Sequence, residues 1–284
     1  MVDVDWEGFK RWLERDKSRY YARDIYYNAR KYADYLFGKS LSDLARMSEG
    51  KRRVVMSSLA NLAKFLGIYP QWKSKVQSFS LKWSSAETRD KRVVDRLTKV
   101  VDVNDLYQWI RQVGAERPEL TCFLEFMAIT GLRLTEAVNS FNLIVELSGK
   151  GKLADYYDAE KEVLEHYKFK DKFLRKGKKA FISFVPKEFL KRLENASPVP
   201  GAKSLVKLVS RLGLHSRFSD LRELHASVMT KYLNQSEINF LHGRIGTSVF
   251  MQNYFNPAWI GDLKQRVFKG IAEIQKKLRK GKGE

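Results

Sequence analysis

Cysteine is almost missing from this 284-residue chain: Cys122 stands alone inside an apolar run, so no internal disulfide can form and a cysteine-based zinc site is excluded. A single cysteine in that setting reads as a buried small hydrophobe and points to a reducing, cytoplasmic location. Long apolar runs are missing too. No stretch approaches the roughly 18 to 20 residues needed to span a bilayer. The N-terminus, Met1-Val2-Asp3-Val4-Asp5, is acidic where a signal peptide would be basic. The expectation is a soluble protein that is not secreted. There is no internal repeat and no low-complexity tract. The last shortage is of acidic residues: 33 Asp and Glu face 53 Lys and Arg, a formal net charge of +20 with a pI near 9.8. Ion-pair networks of the thermophilic kind would balance the two signs. This chain does not balance them, and such a field draws in a polyanion, so nucleic acid is the expected partner. Residues 1–90 carry +7, which leaves +13 for 91–284, so both halves are expected to touch it.

With 44% hydrophobic residues the chain can bury real cores, and its length suits two domains better than one. From Trp6 to about Ser80 apolar residues recur three and four apart, as in Phe9 and Leu13, then Tyr26, Ala29, Ala33 and Leu36, then Leu59, Leu62, Phe65 and Leu66. Gly38, Gly50, Gly67 and Pro70 punctuate the pattern, which predicts a helical N-terminal domain over 1–82. Residues 83–97 read as a charged linker, and 98–284 as a second domain. In the second domain helices are expected over Val103–Val113, Leu120–Ile129, Lys187–Leu193, Lys203–Leu212 and Asp220–Leu233. Between Leu164 and Val185, Tyr167, Phe169 and Phe173, then Phe181, Ile182, Phe184 and Val185, alternate with polar residues around Arg175-Lys176-Gly177-Lys178-Lys179. That pattern predicts a hairpin with a basic tip. The fold class is therefore mainly α with a small β-hairpin. A final basic helix carries an apolar stripe of Ile260, Leu263, Val267, Ile271 and Ile274 that must be covered.

Three arginines stand in marked settings: Arg133 in Thr130-Gly131-Leu132-Arg133-Leu134-Thr135-Glu136-Ala137, Arg222 in Asp220-Leu221-Arg222-Glu223, and Arg244 in Leu241-His242-Gly243-Arg244. Gly131 closes one helix, which puts Arg133 at the turn opening the next. A guanidinium offers a planar fork to two phosphate oxygens, a geometry that lysine cannot copy. Tyr254 follows Arg244 by ten positions and sits in Asn253-Tyr254-Phe255-Asn256-Pro257, just before a helix-breaking proline. Each residue alone is ordinary: an arginine at a helix start is commonly a surface cation, a lysine-rich turn a solvated one, and twelve other tyrosines are present. The ordered set is the signal.

Read in order, these motifs resemble the active site of the tyrosine recombinases. The match is best with the archaeal, fusellovirus and plasmid integrase branch, in which Gly-Arg replaces the more usual Gly-His before the tyrosine. The resemblance covers about the last two thirds of the chain. It implies a helical SAM-like core-binding domain followed by a tyrosine-recombinase catalytic domain. The implied function is site-specific DNA breakage and rejoining through a 3′-phosphotyrosyl intermediate, integrating or excising a mobile element without cofactor, metal or ATP. Tyr254 would be the nucleophile, and Arg133 and Arg222 the phosphate clamp with Arg244 beside them. A hairpin lysine would protonate the leaving 5′ oxygen: Lys176, Lys178 and Lys179 are all claimants, with Lys178 preferred. Glu136, three residues after Arg133, would orient that guanidinium or form an ordinary exposed pair.

The chain departs from the pattern at Ser219, which stands where common members carry histidine; a hydroxyl is no cationic acid near pH 7. His225, one turn after Arg222, could swing in or pack in the core, and His242 is a weaker candidate for the same pocket. Lys51, Arg52, Arg53, Lys82, Arg89, Lys91, Arg92 and Lys176 are the expected contacts to DNA phosphates. The implied partners are double-stranded DNA and the chain itself, free as a monomer or weak dimer and tetrameric on paired DNA sites through the C-terminal helix, which in the free protein could equally fold back on its own domain, with a cytoplasmic, nucleoid-associated location. A chromosome-dimer resolvase, a DNA-relaxing enzyme of the same chemistry and a catalytically inactive DNA-binding relative are the alternatives.

Overall fold

The structure, a computed structural model, describes residues 4–81, 94, 103–175, 178–194, 196–245, 253, 256–257 and 260–279. Two compact units divide the chain, Met1–Val100 and Val101–Glu284. The expected linker, 83–97, lies outside the described residues except for Val94. Both units are mainly helical, and all the described strands belong to the second.

The first unit is built from α1 (Trp6–Asp16), α2 (Arg19–Tyr32), α3 (Ser42–Arg46), α4 (Glu49–Phe65) and α5 (Tyr69–Ser78). Asp5 starts α1 by accepting the Gly8 amide at 2.8 Å, which pairs one of the backbone donors a helix start leaves free. Ala22, Ile25 and Ala29 form the buried line of α2, which packs against α4 with Ile25 between two small alanines. In α4 the buried positions Val55, Met56, Leu59, Ala60, Leu62 and Ala63 span more than one face, so this helix is the centre of the unit. Lys75 Nζ then donates to the Tyr35 and Lys39 carbonyls at 2.8 and 3.0 Å, tying α5 to the turn after α2.

The second unit runs α6 (Val103–Glu116), α7 (Thr121–Thr130), α8 (Leu134–Gly149), β1 (Tyr157–Asp158), β2 (Val163–Leu164), α9 (Lys170–Phe173), β3 (Leu174–Arg175), β4 (Lys178–Lys179) and β5 (Ser183–Phe184). It continues with α10 (Lys187–Glu194), α11 (Ala202–Arg211), α12 (Phe218–Met229), α13 (Gln235–Leu241) and α14 (Leu263–Arg279). α7 is its core helix: Phe123, Leu124, Phe126, Met127, Ala128 and Ile129 are all buried, and α6, α8, α12 and α14 pack around it. β1, β2 and β5 form an antiparallel sheet in that order, and β3 pairs with β4 in a separate hairpin.

Three expectations need correction. The aromatic alternation from Tyr167 to Phe173 is not a strand. Residues His166–Lys168 make a 3₁₀ turn and α9 follows, because the rings of Phe169 and Phe173 close on Tyr156, with centroids 5.2 and 6.0 Å away, instead of lining a sheet face. The hairpin is consequently reduced to two-residue strands. The helix expected over Asp220–Leu233 ends at Met229, and a new one starts at Asn234, whose side chain and Glu237 form a reciprocal capping box. Of the two covers open to the apolar stripe of α14, the free chain uses its own unit. Leu263, Val267, Ile271 and Ile274 are buried, Arg266 clasps Glu237 with two bonds of 2.5 and 2.9 Å, and Gly270 lies against α12 so closely that a Cβ there would be 2.5 Å from Met229 Sδ. Cys122 is only partly buried, with Arg192 Nη2 at 3.9 Å from its sulfur.

Candidate active site

Gly131 ends α7 in the left-handed region at φ 60°, where its amide still bonds to the Met127 carbonyl at 3.0 Å. The following two residues turn the chain so that Arg133, in extended conformation, caps α8. No other residue fits at 131: a Cβ would lie 2.6 Å from His225 Nδ1 and 2.8 Å from His242 Nε2. Gly243 repeats the device after α13. It has φ 62°, and a Cβ there would fall 1.7 Å from the Lys179 carbonyl oxygen, so the turn before Arg244 rests directly on the hairpin. The same Lys179 oxygen accepts Arg133 Nη1 at 3.4 Å.

Arg222 joins these segments. It sits in the first half of α12, half-buried, and its Nη1 donates to the Gly131 carbonyl at 2.6 Å while Nη2 donates to the His242 carbonyl at 2.7 Å. One guanidinium thus bridges the turn that carries Arg133 and the turn that carries Arg244. Burial, then the charges of Arg133 and Arg244, hold its pKa down at about 9 against an ordinary 12.5, with Glu136 acting in the opposite sense. It is a cation at neutral pH, but one short of neighbouring negative charge.

Glu136 does not supply that charge to Arg133 and is not exposed. It is 1% exposed and accepts Arg175 Nη2 at 2.5 Å, while its other oxygen is buried with no hydrogen-bond partner among the described residues. The i,i+3 spacing that suggested Arg133 is overridden by a hairpin arginine 39 positions away. Arg175 lies opposite Lys178 across the hairpin, and Leu174 opposite Lys179, so Lys178 shares a face with the arginine that reaches into the site. Both lysines are exposed.

Neither histidine is a free acid. His225 Nδ1 and His242 Nε2 are 2.9 Å apart, both rings are buried, and burial keeps their pKa values at about 3 and about 2. One neutral ring donates and the other accepts. His242 therefore offers Arg222 its carbonyl and not its imidazole. Ser219 is exposed at the start of α12 and hydrogen-bonds its neighbour Asp220 at 3.3 Å. Arg244 is exposed, its backbone fixed by a 2.7 Å bond to the Asn239 carbonyl. Tyr254, Lys176, Lys82, Arg89, Lys91 and Arg92 lie outside the described residues.

In the N-terminal unit Lys51 and Arg53 are exposed on α4, whereas Arg52 is half-buried and donates to the Ala45 carbonyl at 3.1 Å, closing the end of α3. The role of Arg175 and the pairing of His225 with His242 are what sequence reasoning missed, although it named both histidines as candidates for this pocket and allowed His225 a place in the core; only the motif glycines hinted at close approach. Among the described residues no group of His, Cys, Asp and Glu is arranged to hold a metal ion, and no helix is long and apolar enough to cross a membrane. No protein-family model, no curated protein and no solved structure matches the chain.

Proposed function

We propose that this site takes a phosphodiester and that the chain is a DNA strand transferase. The observation that carries the reading is the meeting of Arg133, Arg222 and Arg244 at one place where the nearest buried carboxylate, Glu136, is already engaged by Arg175. Three cations, two of which depress the protonation of the third, Arg222, form a binding place for an anion, and a pentacoordinate phosphorus carries more negative charge than its ground state. Arg222 uses one hydrogen on each terminal nitrogen for the two carbonyls, which leaves the outer hydrogens for phosphate oxygens.

Within that class, the proposal is a tyrosine recombinase of the archaeal virus or plasmid type, with a core-binding domain before the catalytic one, acting in integration and excision. The phenol of Tyr254 gives its proton to solvent as its oxygen attacks phosphorus, the bond to the 5′ oxygen breaks, and Lys178 gives that oxygen its proton. A 5′ hydroxyl then attacks the phosphotyrosine, passing its proton back to Lys178, and the tyrosine leaves and takes up a proton from solvent. Lys178 is preferred to Lys179 because it lies on the Arg175 face of the hairpin. Ser219 supplies no proton, so the lysine carries general-acid catalysis without help from histidine. Assembly into a tetramer on paired sites is part of the proposal; the stripe of α14 packs within its own unit in the free chain, so a connector role for that helix would be taken up only on DNA.

The test is incubation with a nicked, end-labelled duplex that loses a short fragment on cleavage. A covalent protein–DNA band supports the reading, and none over a range of duplex sequences sinks it. A 5′-phosphorothiolate, whose sulfur leaves without a proton, is expected to restore cleavage to Lys178→Ala and not to Arg133→Ala; rescue of Lys179→Ala instead would transfer the acid role to that residue.

A further inference from the structure

The Val101–Glu284 unit has a second opening that shares no residue with the candidate active site. It is a cleft of about 840 Å³ between α6, the start of α7, α10 and the end of α14, a size typical of small-molecule sites. Ile110, Gly114, Ala115 and Leu278 give it an apolar lining. Tyr107 also lines it, is only 6% exposed, and has a hydroxyl that is buried with no hydrogen-bond partner among the described residues. Burial and the nearby charge of Glu273 push that phenol up to about 12, so it is a neutral donor at any physiological pH. A buried hydroxyl left unpaired is costly, and a ligand atom that displaced its cover would relieve it.

The charges at the cleft are one-sided. Arg192 is held by Glu125 at 2.8 and 3.2 Å, Gln275 donates to the same carboxylate at 3.0 Å, and Glu273, near Tyr107, is held by Lys231 and Lys277 at 2.7 and 3.0 Å, so both acids are engaged. Arg111, one helical turn after Tyr107, and Arg279, at the end of α14, form no ion pair among the described residues. An inorganic anion would leave the apolar lining wet, and a neutral hydrocarbon would leave two guanidiniums and a hydroxyl without partners. We propose that this cleft binds a small organic anion, with a carboxylate or sulfonate head for Arg111, Arg279 and the Tyr107 hydroxyl and an aryl or medium-chain alkyl body for the Ile110 and Leu278 side.

The probe is anilinonaphthalene sulfonate fluorescence on the full chain, with displacement by decanoate or decanol. One saturable site is expected, displaced by decanoate roughly tenfold more tightly than by decanol, as one charge-assisted contact implies. Tyr107→Phe, which keeps the ring, should weaken decanoate by roughly threefold or more. Arg111→Gln with Arg279→Gln should weaken it by about tenfold. Arg15→Gln with Lys73→Gln removes the same charge from exposed positions of the other unit and should leave binding unchanged. Equal weakening by both double variants would reduce the effect to general attraction by the +20 charge and overturn the proposal. So would non-saturable binding, or decanoate affinity unchanged in Tyr107→Phe and in the Arg111/Arg279 variant.

Discussion

Replacing Arg222 by alanine separates a functional cation from a structural one. Two hydrogen bonds from a charged donor to the Gly131 and His242 carbonyls are lost, at about 1.5 to 3 kcal/mol each. Against this stands the relief of an unfavourable position: a pKa of about 9 in place of 12.5 corresponds to roughly 5 kcal/mol of burial and repulsion at about 1.4 kcal/mol per pH unit. Arg222 is half-buried, so water reaches the two carbonyls once the side chain is gone and solvent screening trims both figures. The two effects nearly cancel, and Arg222→Ala should change unfolding stability by no more than about 2 kcal/mol while slowing cleavage by ~10² or more. Sulfate supplies an independent reading. By binding the three arginines of the folded parent it should stabilise it by about 1.4 kcal/mol at ten times its dissociation constant, and it should stabilise Arg222→Ala far less. Urea denaturation in sulfate and in chloride at matched ionic strength measures both. A loss above about 4 kcal/mol, or equal sulfate stabilisation of parent and variant, would refute the anion-site reasoning and make the guanidinium a structural bridge.

Gly243→Ala should lose at least about 3 kcal/mol in the same assay, since a left-handed backbone alone costs about 1 to 2 kcal/mol for an alanine and the new methyl would lie 1.7 Å from the Lys179 oxygen; parent-like stability would remove the contact between turn and hairpin. His166, His225 and His242 are buried with pKa values lowered to about 3, 3 and 2. Their unfolded forms protonate near pH 6.5 and their folded forms do not, so stability should fall as pH drops below 6.5, by about 2 kcal/mol per histidine at pH 5. A denaturation midpoint that is flat between pH 7 and 5 would contradict their burial. Deleting residues 263–279 uncovers Leu263, Val267, Ile271 and Ile274 and their partners. At about 1.5 to 3 kcal/mol for each side chain the loss is comparable with the whole stability of a domain, so the truncated chain should lose cooperative unfolding in calorimetry, and a well-folded truncation would mean that α14 is dispensable to its unit.

Local signals were readable where one residue type has one physical use. Gly131 and Gly243 stand where the chain turns through positive φ, and both prove to be places of close approach. The helix opening at Leu134 follows from such punctuation, and apolar periodicity puts the start of α12 at Asp220, two residues after its actual start at Phe218. What sequence spacing could not supply was the choice among partners far apart in the chain. Glu136 could face Arg133 on its own helix, and tertiary packing gives it to Arg175. His225 could face the arginines, and burial pairs it with His242. Alternating aromatics between Tyr167 and Phe173 satisfy a strand pattern, yet tight turns present the same rings to one cluster around Tyr156. The apolar stripe of α14 announces that it must be buried without saying against what, and here α7 and α12 take it.

The central claim is that this arginine cluster serves a tyrosine nucleophile, and the direct measurement is peptide mapping of the covalent adduct. The chain is reacted with a nicked duplex, digested with nuclease and protease, and the modified peptide sequenced by mass spectrometry. The account predicts a nucleotide attached through a 3′ phosphate to Tyr254, and no adduct from Tyr254→Phe despite unchanged DNA affinity. Attachment to any other residue, or an undiminished adduct from Tyr254→Phe, would contradict it.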